Sequence, residues 1–247
     1  MNKVWDSAEE AIADIQDGAR IAVAGFLTAG VPRILLRALA ANGTKNLSLL
    51  CGCGPLLGDP EILEMLVKNK QLKRVIDSYG LYRSASKGEK DPFEQAVKAG
   101  EIELRVYPMG TLAERYRAAA AGIPAFYTPT GVGSVVEDII VSSLKEIRRK
   151  KETRIFNGER YVLEYSLKPD YAFVHAHTGD REGNLKYKAT SINFNPVMAA
   201  ASRITIAEVE NLVEPGEIPP DFVHTPGIYV NRVVKVPRPT FNITIDQ

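Results

Sequence analysis

Gly25 and Gly30 bracket a stretch, Gly-Phe-Leu-Thr-Ala-Gly, whose bulk is confined to Phe26, Leu27 and Thr28. A loop this bare lets backbone N–H groups approach an anion or a developing oxyanion. It lacks the lysine of G-x-x-x-x-G-K-S/T and the spacing of G-x-G-x-x-G. Its own residues therefore leave two readings, a ligand loop of unnamed ligand or a plain strand-to-helix turn. A second constellation is Cys51-x-Cys53 with His175-x-His177. Residues i and i+2 on a strand share a face, so each pair could present two zinc-type ligands. The cysteines sit in a glycine-rich run and the histidines in a β segment, with nothing to make them meet. Lining or packing roles are expected, and no metal. Among the carboxylates, Glu89 lies in a lysine-rich loop, Glu114 and Glu137 in helical or solvated contexts, and Glu182 in a turn. None is placed like a nucleophile. Glu114, Arg115 and Arg117 read as an ion-pair network on one helix. His224, before Thr-Pro-Gly, reads as a structural hydrogen-bonding residue.

The elements that must hold these residues alternate. A capping box of Ser7 and Glu10 opens a helix through residue 15. A strand over 20–24 follows, then a helix over 32–41 that starts at Pro32 and stops at Asn42-Gly43. Strands over 46–51, 72–78, 102–107 and 125–128 alternate with helices over 59–68, 91–99 and 111–121. About five β-loop-α units in series predict an α/β fold with a mostly parallel, doubly wound open sheet. In the second half, Asn157-Gly158 between 153–156 and 161–165 predicts an antiparallel hairpin. Further strands are expected over 171–177, 184–188, 203–208 and 228–236, with a short helix over 196–202. Residues 137–151 read as a solvated charged segment. One domain over 1–236 and a C-terminal arm over 237–247 are expected.

Ligands of open parallel sheets bind beyond the carboxyl ends of the strands. The candidate loops are therefore 25–30, 51–58, 78–90, 108–111 and 128–133. Four of the five are glycine-rich, which predicts binding largely through backbone N–H groups. With 247 residues, 45% hydrophobic and 25% charged, the chain is ordinary for a globular protein. A net charge of +1 implies no field for nucleic acid or a membrane surface. No apolar run has the length of a membrane span, and Met-Asn-Lys-Val-Trp-Asp lacks a signal-peptide core. The two cysteines fit a reducing compartment, and the cytoplasm is expected.

Taken together, these loops resemble the alpha subunit of family I CoA-transferases, of the 3-oxoacid CoA-transferase type. Asp17, Gly18, Gly25, Phe26, Gly30 and Pro32 match that family's glycine signature, with Ala24 in place of the first glycine of its Gly-Gly-Phe. Further matches are Gly110-Thr-Leu-Ala-Glu-Arg115, the run from Gly122 to Gly133, Phe156-Asn-Gly and Asp180-Arg-Glu-Gly-Asn184. Asn193-Phe-Asn195, Glu208-Val-Glu210 and His224-Thr-Pro-Gly-Ile-Tyr-Val230 complete them, so the resemblance spans nearly the whole chain. It implies ping-pong covalent catalysis in which a glutamate attacks an acyl-CoA thioester and later carries CoA. In the family that glutamate lies on a beta subunit. No catalytic residue is thus expected in this chain, a beta subunit is the expected partner, and coenzyme A is substrate rather than cofactor. The implied substrate and oxyanion loops contain Gly25, Phe26, Leu27, Thr28, Gly30, Cys51, Gly52, Cys53, Met109, Gly110, Thr111, Gly131, Gly133 and Asn193.

Two departures bear on the substrate. Met109 stands where the 3-oxoacid enzymes have the glutamine of Pro-Gln-Gly-Thr, and its side chain has no N–H to give. Cys51-Gly-Cys-Gly-Pro55 stands where the family has Ser-Asn-Asn-Ala-Gly. Both predict a less polar pocket and an acid other than simple acetoacetate. The stretch 79–92, longer than its family counterpart, reads equally as a lid or a surface insertion. The alternatives are a CoA-thioester or ring-opening hydrolase on the same fold, and a non-catalytic acyl-CoA-binding subunit. A sugar-phosphate isomerase would need acid–base carboxylates in the loops, and no carboxylate there is placed for that role.

Overall fold

Strands buried on both faces must pair in parallel between two layers of helices, and the first half of the chain does so. The computed structural model describes residues 2–54, 60–79, 92–138 and 150–238. Its strands are β1 (Val4–Trp5), β2 (Arg20–Phe26), β3 (Leu47–Cys53), β4 (Leu72–Asp77) and β5 (Glu103–Val106), then β6 (Ala125–Thr128), β7 (Thr153–Phe156) and β8 (Glu159–Tyr165). β9 (Tyr171–Asp180), β10 (Leu185–Lys186), β11 (Ile204–Val213) and β12 (Arg232–Lys235) complete them. The large sheet has the order β1-β12-β11-β9-β2-β3-β4-β5, all parallel, with β10 antiparallel to β9. The chain winds outward from β2 to β5, returns to β9, and winds outward the other way through β11 to β12. The winding direction reverses between β2 and β9, which is where such folds leave a crevice.

Helices cover both faces. On one, α1 (Ala8–Ile12), α2 (Arg33–Asn42), α3 (Pro60–Lys68) and α4 (Pro92–Lys98) bury Ile12, Leu35, Leu39, Ile62, Leu66 and Phe93 against Ile21, Val23, Leu49 and Phe173. On the other, α5 (Met109–Ala120) and α7 (Asn195–Ala201) bury Leu112, Tyr116 and Met198 against Ala22, Leu50, Ala172 and Val174; a short α6 (Val135–Asp138) lies between them in the chain. β2 sends Ile21 and Val23 to one face and Ala22 and Ala24 to the other. Local signals hold as well. Ser7 Oγ accepts from Glu10 N at 3.1 Å. Gly43, at φ +78°, stops α2. Asn157 and Gly158, both at positive φ, turn the hairpin between β7 and β8.

Four expectations are corrected. Residues 125–128 are no fifth parallel strand: β6 pairs antiparallel with β8 in a separate sheet of order β6-β8-β7. Its four residues are all half-buried, as suits an antiparallel strand rather than one covered on both faces. The late strand begins at Arg232, because Gly227–Tyr229 forms a single 3-10 turn. β3 continues through Cys53, so Cys51, Gly52 and Cys53 are strand, not loop. The ends of the 137–151 segment are not solvated: Glu137 is buried against Arg160, and Lys151 pairs with buried Glu164. Residues 139–149 of that segment, 80–91 of the 79–92 stretch and 239–247 of the C-terminal arm lie outside the described residues.

Candidate functional site

The 25–30 loop leaves β2 through Gly25, at φ +120°. It closes on itself: Phe26 N donates to Ala29 O at 3.0 Å, Ala29 N returns to Phe26 O at 2.9 Å, and Leu27 N donates to Cys53 O at 3.0 Å. Those three amides are spent. Among the described residues, the amides of Thr28 and Gly30 have no intramolecular acceptor. The expectation of a donor-rich loop therefore narrows to these positions. The loop's carbonyls are taken in turn, Thr28 O by Arg33 Nη2 (3.1 Å), Ala29 O by Asn193 Nδ2 (3.1 Å) and Gly30 O by Asn195 Nδ2 (3.1 Å). A planar trans peptide points its N–H away from its C=O, so the bond from Asn193 aims Gly30 N–H the opposite way. Gly30 is obligatory here. It sits at φ +67°, and a Cβ would lie 2.7 Å from Asn195 Nδ2 and 3.0 Å from Ser191.

Thr28 and Gly30 line a cavity of about 300 Å³ with Ala29, Val31, Arg33, His175, His177, Lys188, Ser191, Glu210 and Arg238. It lies at the winding reversal, where β2 borders β9. One wall is a chain of titratable groups. Buried Glu208 accepts at Oε2 from Ile34 N (2.9 Å) and Leu35 N (3.0 Å), and faces His175 Nδ1 with Oε1 at 2.8 Å. His175 Nε2 lies 3.2 Å from Glu210 Oε1, and His177 Nδ1 lies 2.8 Å from Glu210 Oε2. A carboxylate only accepts, so a carboxylate at each ring nitrogen favours the imidazolium form of His175. Burial pushes the His175 pKa down, but the Glu208 and Glu210 carboxylates outweigh it and hold it above the ordinary imidazole value. Burial likewise pushes the Glu210 carboxyl up, and the bonds from His177 and His175 reverse that, leaving it below the usual carboxylate range. With both oxygens engaged, Glu210 is a poor nucleophile.

The other expected residues stand elsewhere. Gly25 shapes the exit of β2, and Phe26, 41% exposed, flanks the loop. Asn193 holds the loop without lining the cavity. Cys51 and Cys53 are buried, and burial lifts both thiols, Cys51 far above the ordinary value. They also fall into the two opposite core clusters. The β2–β3 register shifts beside this pair, with an extra residue in β2 between Val23 and Phe26. The cysteine and histidine pairs therefore do not converge, and no group of three or more candidate metal ligands occurs among the described residues. At Gly52 a Cβ would lie 2.5 Å from the Phe194 ring. Met109, Gly110 and Thr111 are the first turn of α5, not a loop, and Met109 is 42% exposed. First-turn amides have no intrahelical acceptor, so the backbone there still presents donors. Gly131 and Gly133 follow β6 and so leave the small sheet, not the carboxyl edge of the large one. Gly133 N is bonded by Glu137. Arg117 pairs with Glu114, whereas Arg115 is buried, with Nε on Tyr165 O and its guanidinium over Tyr107. His224 accepts from Tyr187 N at 3.0 Å, in the structural role expected of it.

The carboxylates that sequence reasoning missed as site residues, Glu208 and Glu210, carried a readable signal. E-x-E on β11 stands beside H-x-H on β9, with Glu208 and His175 in register. Only the pairing of those two strands reveals it.

The coenzyme A transferase family model matches residues 5–236. The alpha-type chain of a probable succinyl-CoA:3-ketoacid coenzyme A transferase of Mycobacterium bovis is 46% identical over 251 residues, covering 98% of this chain and 97% of the relative. The corresponding chain of a 3-oxoadipate CoA-transferase of Pseudomonas putida is 40% identical over 237 residues, covering 96% of this chain and 94% of the relative. The crystal structure of the acyl-CoA transferase YdiF apoenzyme of Escherichia coli O157:H7 superposes with a TM-score of 0.81 at 25% identity, covering 95% of this chain and 47% of that one.

Proposed function

Because the chain belongs to the coenzyme A transferase family and is a CoA-transferase subunit of the alpha type, we propose that it forms half of a two-subunit active site. That site moves CoA between an acyl-CoA donor and a carboxylic acid. The partner is a beta subunit, which brings the nucleophilic glutamate, and exchange proceeds through an acyl-glutamyl anhydride and a glutamyl-CoA thioester. The observation that carries this reading is the pair of unspent amides at Thr28 and Gly30, residues that line a cavity in which no described carboxylate is free to attack. Donors of this kind fit the oxyanion of a thioester-exchange intermediate. No helix among the described residues is long and apolar enough to cross a membrane, and we read the chain as cytoplasmic. The test is to incubate the purified pair with acyl-CoA and weigh the beta chain. A mass increase for glutamyl-CoA supports transfer. CoA released without that adduct or any acceptor acid rejects it.

The substrate reading rests on Met109 alone. Neither it nor the buried cysteines line the cavity of about 300 Å³, but Met109 is exposed at the start of α5, where a partner chain and substrate can reach it. Met109→Gln is expected to raise turnover of short polar acids such as acetoacetate. No rise would mean that Met109 does not set specificity.

One observation favours the hydrolytic alternative. His177 faces Glu210 through Nδ1 and lines the cavity, which suits its other nitrogen to take a proton from water. His177→Gln should abolish acyl-CoA hydrolysis if that reaction occurs, while leaving glutamyl-CoA formation on the beta chain intact.

A further inference from the structure

Thr28 and Gly30 can act as donors only if the loop is held from behind, and the attachments converge on one buried carboxylate. The loop runs through Pro32 directly into α2. Glu208 is 1% exposed, and its Oε2 accepts from Ile34 N and Leu35 N in the first turn of that helix. α2 has no side-chain cap of its own, because its N-cap residue is Pro32. An anion on these amides also meets the positive end of the helix dipole. The other oxygen faces His175 Nδ1, whose backbone N–H donates to Asn195 Oδ1 at 2.8 Å. Asn195, fully buried, gives its amide to Gly30 O and Ser191 O. One carboxylate on β11 thus grips the loop through the helix after it and, by way of His175 and Asn195, through Gly30 itself.

We propose that Glu208 is a positioning residue of the exchange site, one that fixes the aim of the Thr28 and Gly30 amides without touching substrate. The proposal rests on the site's being an oxyanion-binding transferase site. Its structural part is separately measurable, as hydrogen exchange of loop amides.

The test uses the chain with its beta partner and three variants. Glu208→Gln keeps an oxygen for the helix amides and an N–H for a neutral His175. It should stay within about threefold of wild type in kcat, since the hydrogen bonds survive. Glu208→Asp keeps the charge but is one methylene too short to reach both helix amides. Glu208→Leu removes every bond. Asp should lower kcat about tenfold and Leu about 100-fold, with KM for acyl-CoA within about threefold, because the donors act on the tetrahedral intermediate. Exchange of amides 28–35 should quicken in the same order while the β3 amides stay protected. If Glu208→Leu does not fold, the Gln and Asp pair decides. The inference is overturned if Asp matches wild type, if Gln is as slow as Asp or Leu, or if exchange at 28–35 is unchanged. A wild-type pair without transferase activity would instead sink the functional reading, and the exchange experiment would still decide the role of Glu208.

Discussion

Two buried carboxylates stand at the carboxyl edge of the same sheet and are treated differently. Glu208, near the winding reversal, holds the amides of Ile34 and Leu35 and faces the His175 ring. Asp77, at the end of β4, holds the amides of Gly54 (3.0 Å), Ser78 (2.7 Å) and Tyr79 (3.3 Å), and no cation faces it among its described bonds. Three backbone N–H bonds do not offset the loss of water. Burial lifts the Asp77 pKa to about 6. Both acids tie a loop to the sheet. Only the one beside the cavity is charge-compensated, by the His175 ring at 2.8 Å. The protein places its compensated carboxylate where donors must stay aimed.

The largest effect that would sharpen this contrast lies at Asp77. Its folded pKa is raised from 3.8 to about 6. The stability this contributes is therefore fully present below about pH 3.8 and is lost as pH rises through about 6. That amounts to about 2 kcal/mol less stability from this group at about pH 7 than at about pH 4. Asp77→Asn removes the titration. Urea unfolding of wild type and variant at the two pH values should show the variant gaining on wild type by that order between them. An equal difference at both would break the comparison.

Next in size is Gly30→Ala. The added Cβ meets Asn195 and Ser191 at a left-handed φ. The loop must move, and kcat is expected to fall about 100-fold, the scale for reactive groups displaced by about an ångström. A variant with wild-type kcat would show that the loop's aim is not what the Asn193 and Asn195 bonds protect.

His175 supplies a second pH window. Its pKa is raised, so its contribution is fully present below the ordinary imidazole value of 6.5 and is lost as pH rises through the higher folded value. Stability should thus decline twice, once through about pH 4 to 6 from Asp77 and again from about pH 6.5 upward as His175 loses its proton. His175→Gln should erase only the second decline. Its persistence in the variant would assign it to another group.

These contrasts also show what a single sequence discloses. β2, α2 and the hairpin at Asn157-Gly158 were legible because their signals are local: an apolar run, a proline start with a glycine stop, a two-residue turn. The carboxyl-edge rule points to the 25–30 loop, where the structure has a cavity, but it assigns Gly131 and Gly133 to the large sheet because β6 reads as one more parallel strand. Strand order is a non-local fact. It decides that β9 lies beside β2, that H-x-H meets E-x-E, and that a cavity opens there. The N-terminus of α5 has no side-chain cap to mark it, so the sequence reads Met109 as loop.

The smallest effect separates glycines that shape the site from glycines that only turn the chain. Gly133 has φ +76°, and a Cβ there would meet nothing within 4 Å. Alanine at that position is strained by its backbone alone, at about 1 kcal/mol. Gly133→Ala should therefore lower the unfolding midpoint slightly and leave kcat within about twofold of wild type. The pair Gly30→Ala and Gly133→Ala differs in surroundings rather than in sign of φ, so the ratio of their kcat values measures how much of the loop's role is packing against Asn195 and Ser191. A large kcat loss in Gly133→Ala would return the 131–133 turn to the site, and would mean that the small antiparallel sheet carries part of the chemistry assigned here to the reversal between β2 and β9.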